Sequence, residues 1–180
     1  MNFVDKCKAS AKEFKNTKSI IGCGMLSAIK IIVGMFSITL IPNLLRIGFS
    51  GHVLAVLSMF YGPVMGGISA IFIDGIEHIL AGGSQGAYFP GFAFNVCISA
   101  IIYGLFFYQT KSIKVKDVII CRFIVTLLVN LILTPIWLNI MYGSELLAIP
   151  RIVKNIIEFP IDCFILYQIL KISHNIKQRM

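Results

Sequence analysis

The sequence predicts an all-α membrane protein, a bundle of six transmembrane helices with both termini on the cytoplasmic side. Three observations carry that expectation. The 180 residues are 57% hydrophobic and only 13% charged, with a mean hydropathy of +0.87, where a soluble domain carries about 25% charged residues. Five apolar stretches lie near or above the roughly 20 residues a spanning helix needs, and one of them is long enough for two spans. The basic residues gather at the ends of these stretches, on one side of the implied membrane. The chain reads as a single membrane domain, 1–180, rather than two domains. Its net charge of +8 does not point to nucleic acid, because the cations flank apolar segments.

Residues 1–18 form a basic lead with Lys6, Lys8, Lys12, Lys15 and Lys18. It does not read as a cleaved signal peptide. The lead is long, the apolar run exceeds the usual h-region of about 7–15 residues, and no A-x-A site follows. The first span is expected at about 19–41. Within it, Gly24 and Ala28 make a small-xxx-small pair that lets another helix approach closely. Lys30 sits mid-span, where it either pairs with an acid inside the bundle or reaches toward a ligand. The stretch 51–82 is interrupted at Tyr61-Gly62-Pro63, since proline starts a helix readily but breaks one internally. It therefore gives spans at 51–61 and 63–82. The remaining spans are expected at 91–109, 118–141 and 150–171. In this arrangement Lys111, Lys114, Lys116 and Arg122 surround an inner loop, and Lys171, Lys177 and Arg179 follow the last span. Only Arg46, Arg151 and Lys154 fall at the outer side.

The last span carries a charged stripe. On a helix, Arg151, Lys154, Asn155, Glu158 and Asp162 share one face. Each ionisable group near a bilayer centre costs about 2.5–3.5 kcal/mol on insertion scales, so such groups point to function. Asp74, Glu77 and His78 share a face of the third span. Asn95, Trp137, Asn139 and His52 also fall toward the outer half. The pattern predicts a cavity open outward and closed below by apolar residues, with an anionic small molecule as its natural occupant. The alternatives are snorkelling of the outer cations to headgroups and mutual pairing of the buried polar groups as structural glue. Tyr88, Phe89 and Phe92, in a glycine-rich outer loop, offer flat faces to an aromatic ligand or form an interfacial belt. Cys7, Cys23, Cys97, Cys121 and Cys163 contain no CxxC pair and read as small apolar filler. His78 with Asp74 lacks further ligands for a metal site, and no cofactor is expected.

Several short motifs recur in a telling order: Leu45-Arg46-Ile47-Gly48-Phe49-Ser50, Phe60-Tyr61-Gly62-Pro63-Val64-Met65-Gly66, Tyr88-Phe89-Pro90-Gly91-Phe92, Tyr103-Gly104-Leu105, and Arg151-x-x-Lys154-Asn155 with Pro160. In this order the chain resembles the folate-specific S components of energy-coupling factor (ECF) transporters, from about residue 20 to 171. The resemblance implies a six-helix, multi-pass subunit of the cell membrane that binds folate with high affinity from outside. It implies no enzymatic activity and no ATPase of its own. Partners would be an ECF module with a transmembrane scaffold subunit and two ATPases, and the lipid bilayer. Gly24 and Ala28 would dock on the scaffold. The chain departs from the family pattern at Gly51-His52 and in the acidic run Asp74-Gly75-Ile76-Glu77-His78.

Folate has a flat pterin, an aromatic linker and two carboxylates. Arg46, Arg151 and Lys154 suit the carboxylates through charge-assisted hydrogen bonds. Tyr88, Phe89 and Phe92 suit the rings. A buried acid, Glu158 or Asp74, suits the pterin's amino and N3–H edge, and Glu77, Asn95 and Asn155 complete the candidate substrate-binding set. Asp162, the deepest residue of the stripe, reads as structural. Other readings are an S component for another anionic or aromatic vitamin, a non-transport scaffold, and a rhomboid-like intramembrane serine protease suggested by Gly48-Phe49-Ser50-Gly51. The last lacks a histidine in a suitable position on a later membrane helix.

Overall fold

The computed structural model describes residues 3–36, 38–41, 45–80, 88–143 and 149–179, with the side chains of 38–41, 45–47, 142, 149–152, 154 and 179 outside that description. The basic lead is itself helical: α1 runs Phe3–Glu13, with Asp5 in its first turn and Lys12 in its last, matching the helix dipole. Asn16 then caps α2 (Thr17–Met35), its side-chain oxygen accepting from the Lys18 N–H at 3.1 Å.

The first span is shorter than the apolar run 19–41. It ends at Met35, and Ile38–Ile41 (β1) pairs antiparallel with Leu45–Ile47 (β2). Thr39 lies opposite Arg46, with a bulge between Thr39 and Ile41. Hydropathy cannot separate a buried helix from a short apolar strand. Here β-branched Ile38, Thr39 and Ile41 favour extended backbone, and Pro42 disfavours helix in the residue before it.

Helix α3 (Ser50–Leu80) contains the expected break. Gly62 has φ +84° and ψ −178°, a conformation essentially confined to glycine, and Pro63 opens the next helical turn. The chain reverses there. Gly66 comes back beside Ser58, where an added Cβ would sit 3.3 Å from the Ser58 Cα, and Leu54 packs in one cluster with Ala70. The two arms are thus an antiparallel helical hairpin. Pro90–Phe107 is α4, with proline in the first turn, where its missing N–H costs nothing.

The next rod comprises α5 (Val115–Val125), a π-helical segment at Thr126–Leu133, and α6 (Thr134–Tyr142). Pro135 cannot donate to the carbonyl four residues back and crowds it. The preceding turns widen, so the Val129 carbonyl accepts from both the Thr134 N–H and, at 2.7 Å, its hydroxyl. The last helix, α7, runs Ile149–Arg179. Among the described residues four helices are long and apolar enough to cross a membrane: α2, α3, α4 and Val115–Met141. With α3 folded on itself and α7 added, six helical segments form the bundle.

One apolar cluster joins the first arm of α3 to α4, α5 and α7 through Met59, Tyr103, Phe107, Val118, Leu166 and Leu170. Another joins α2 to α3 through Cys23, Leu57, Met65 and Ile73. Cys121 also lies in the first cluster, so both cysteines pack among apolar side chains, and the Cys23 sulfur also lies 3.1 Å from the Ser69 hydroxyl.

The Gly62 turn leaves helix-end N–H and C=O groups inside the protein, and neighbouring helices supply their partners. Ser10 of α1 donates to the Tyr61 carbonyl at 2.7 Å, and its oxygen accepts from the Val64 and Met65 N–H groups, each at 3.1 Å. Lys177 of α7 donates to the carbonyls of Met59 and Phe60 at 2.9 and 3.1 Å. Lys6 donates to the Leu105 carbonyl at the end of α4. Burial lowers the pKa of both lysines from its ordinary value. Gly104 lets α4 touch the turn itself: a Cβ there would lie 2.6 Å from both the Pro63 Cα and N. Helix α1 and the end of α7 therefore meet at the same end of the bundle.

Candidate functional site

A cavity of about 240 Å³ opens among α2, α3, α4 and the α5–π rod. Lys30 lines it from α2, Ser50 and Glu77 from the two free ends of the α3 hairpin, and Asn95, Ser99 and Tyr103 from α4. Arg122 of α5 and Asn130 of the π segment complete the polar wall, among Leu54, Val96, Val125 and Val129. The hairpin reversal at Gly62 brings Ser50 and Glu77, far apart in sequence, to one end.

Two ion pairs flank this space. The Lys30 ammonium, with its residue only 3% exposed, meets Glu77 Oε2 at 2.8 Å. The sequence left Lys30 open between an internal acid and a ligand, and the structure gives it the acid. Glu77 Oε1 is buried and has no hydrogen-bond partner. On the opposite wall Arg122 pairs with Asp162 through Nη2 and donates from Nη1 to the Tyr103 hydroxyl at 2.9 Å. His52 Nε2 lies 3.7 Å from the other Asp162 oxygen. Asp162, read from its depth as structural, is held in this internal ion pair.

Arg122 requires a correction. It was counted with the cations around an inner loop, but α5 begins at Val115, which puts Arg122 two turns into the helix and inside the bundle. The inner wall of the cavity is accordingly not apolar throughout, since Arg122 and Tyr103 form part of it, with the larger apolar cluster beyond. The signals available in the sequence were the seven-residue offset from the helix start and the deepest acid of the last helix, Asp162.

The rest of the site is polar contact between helices. Asn95 donates to the Thr134 hydroxyl at 3.1 Å and accepts from the Trp137 indole N–H at 3.0 Å. Asn130 reaches the buried Asn155 at 3.5 Å. Phe89 lies 5.6 Å from Trp137 and 6.1 Å from Phe92 by ring centroids, and Tyr88 lies 5.2 Å from His78. These aromatic groups gather where α3 ends and α4 begins.

Of the residues expected to bind a ligand, Glu77 and Asn95 line the cavity, and Asn155 touches its wall through Asn130. Asp74 is half-buried one turn from Glu77 and, like Glu158 on α7, does not line this cavity. The side chains of Arg46, Arg151 and Lys154 lie outside the described residues; the backbone puts Arg46 on β2 and the other two in the first turns of α7. Ser50, Tyr103, Arg122 and Asn130 were not anticipated as lining residues.

A membrane-type helical bundle with a polar-walled cavity among its described helices defines the class, a membrane subunit built to hold a small molecule. Residues 18–170 match the family model described as ECF transporter, substrate-specific component, and the chain belongs to that family. It is 39% identical over 126 residues to the folate transporter FolT of Clostridium novyi (strain NT), covering 69% of this chain and 72% of that protein. It is 31% identical over 173 residues to the folate transporter FolT of Leuconostoc mesenteroides, covering 91% of each. The fold also matches a crystal structure of FolT bound with folic acid, with a TM-score of 0.77 and 33% identity over 86% of this chain and 93% of the other.

Proposed function

We propose that this chain is the folate-binding subunit of an ECF-type vitamin importer in the cell membrane. It captures folate from outside with high affinity and carries out no chemistry of its own. A separate module, a transmembrane scaffold with two ATPases, drives delivery. The observation that carries this reading is the likeness, along most of the chain, to folate transporters and to a folate-bound relative. In the membrane the six helical segments are spans. The end carrying the Gly62 turn, α1 and the lysines of α7 faces the cytoplasm, since that is where the basic residues gather.

Arg151 and Lys154 hold the folate carboxylates in this reading, with Arg46 joining them from β2 and Tyr88, Phe89 and Phe92 covering the rings. Trp137, the single tryptophan, sits on Asn95 and makes a fluorescence titration practical. Arg151→Ala and Lys154→Ala are each expected to weaken folate binding about tenfold, the scale of one lost charge-assisted hydrogen bond. Unchanged affinity in both would remove the carboxylate clamp. Retained-ligand mass spectrometry on the purified protein separates folate from another anionic or aromatic vitamin.

Gly24 and Ala28 face away from the bundle, on an α2 surface with exposed Met25, Ile29 and Ile32. Small residues on such a face admit close helix approach, which suits docking on the scaffold. Copurification with nucleotide-binding subunits is the expected result. Their absence from the purified complex would count against the partner assignment.

A further inference from the structure

The part of the cavity lined by described residues, about 240 Å³, is smaller than the roughly 300–1,000 Å³ pockets that enclose drug-sized molecules. It accommodates one end of a folate-sized ligand, either the flat ring system or the dicarboxylate tail. Electrostatics separates these. Both cations on its lining are already committed to internal carboxylates, Lys30 to Glu77 and Arg122 to Asp162. Within these two pairs an acceptor, Glu77 Oε1, and a donor, Arg122 Nε, are each buried without a hydrogen-bond partner. A buried carboxylate oxygen repels an incoming carboxylate and leaves a costly vacancy until an N–H fills it.

We infer that Glu77 reads the ring of the ligand: its Oε1 accepts from the N–H edge of a 2-amino-4-oxopyrimidine while Lys30 holds Oε2. This deepens the folate reading above and rests on it. The role belongs to Glu77 rather than to Asp74 or Glu158, because of the three only Glu77 lines the cavity. Lys30 is a positioning residue. Its ammonium fixes the carboxylate so that one oxygen is spent and the other faces the ligand. Arg122 Nε offers the same cavity a donor for the ring oxygen. The carboxylate tail is then left to cations outside the cavity.

The test compares folate with its 2-desamino analogue, by Trp137 fluorescence, in the intact membrane protein. The wild type is expected to prefer folate by about tenfold or more, the scale of a hydrogen bond to a charged group. In Glu77→Gln the oxygen of the amide stays on Lys30 and the amide NH₂ turns to the cavity, presenting a donor to a donor. Folate affinity is expected to fall by the same factor, bringing the two ligands within about threefold of each other. Glu77→Asp keeps the charge but withdraws it by one methylene, and an intermediate preference is expected. Because the readout is a ratio within one protein, partial unfolding does not mimic it. Variants that keep the full wild-type preference overturn the role of Glu77, whatever happens to overall affinity. A wild type that binds folate without distinguishing the analogue overturns it too. A wild type that binds neither ligand instead overturns the folate reading.

Discussion

Asp162→Ala is expected to lower the stability of the protein by about 3–5 kcal/mol, the cost of leaving one member of a buried ion pair uncompensated. Arg122 would lose the carboxylate that holds its Nη2, and only the Tyr103 hydroxyl at 2.9 Å would remain. His52, whose ring nitrogens have no hydrogen-bond partner and whose Nε2 lies 3.7 Å from Asp162, would lose its neighbouring charge. Arg122→Met alone is expected to cost a similar amount, because it strands the carboxylate instead. The double variant Arg122→Met with Asp162→Leu removes both charges and is expected to recover much of the loss, since buried pairs exchanged for packed apolar groups are often neutral. Thermal unfolding in detergent measures all three. Additive losses in the double variant would show that the two groups do not act as a pair.

Gly62→Ala is expected to be nearly as damaging, for a backbone reason. At φ +84° and ψ −178° a residue with a Cβ is strained by about 1–3 kcal/mol. The new methyl would also lie 2.6 Å from the Ser10 Cβ and 2.7 Å from its oxygen. Ser10 cannot retreat without giving up the Val64 and Met65 N–H groups that it caps. Overpacking of this kind adds about 1–3 kcal/mol. Gly75→Ala, in the same helix with open space at its Cβ position, is the control. It is expected to be neutral or to stabilise by about 0.5–1 kcal/mol, through reduced backbone freedom. Equal unfolding midpoints for the two variants would refute the account of the turn.

Much of this molecule is legible in one dimension. The interruption at Tyr61-Gly62-Pro63 is readable because glycine and proline act locally, and the structure places a helical reversal there. The depth of Asp162 along the last helix marked it as structural, and it is the partner of Arg122. Arg122 itself was misplaced. A linear reading assigns cations to span ends, and it does not show that Arg122, two turns into α5, faces Asp162 and Tyr103 across the bundle. The strands at Ile38–Ile41 and Leu45–Ile47 were hidden for a related reason, since a short apolar run has the same hydropathy in either conformation. The π segment was unreadable because the widening depends on how the turns before Pro135 repack, not on Pro135 alone.

Composition, periodicity and basic flanks are local quantities summed along the chain. They determine that this protein is a helical membrane bundle, where its hairpin turns, and which short motifs tie it to its family. Pairing is different, because it depends on which helices face one another and at what depth. Only the tertiary structure decided that Lys30 meets Glu77 across 47 residues of sequence, that Arg122 meets Asp162, and that one Glu77 oxygen is buried without a hydrogen-bond partner.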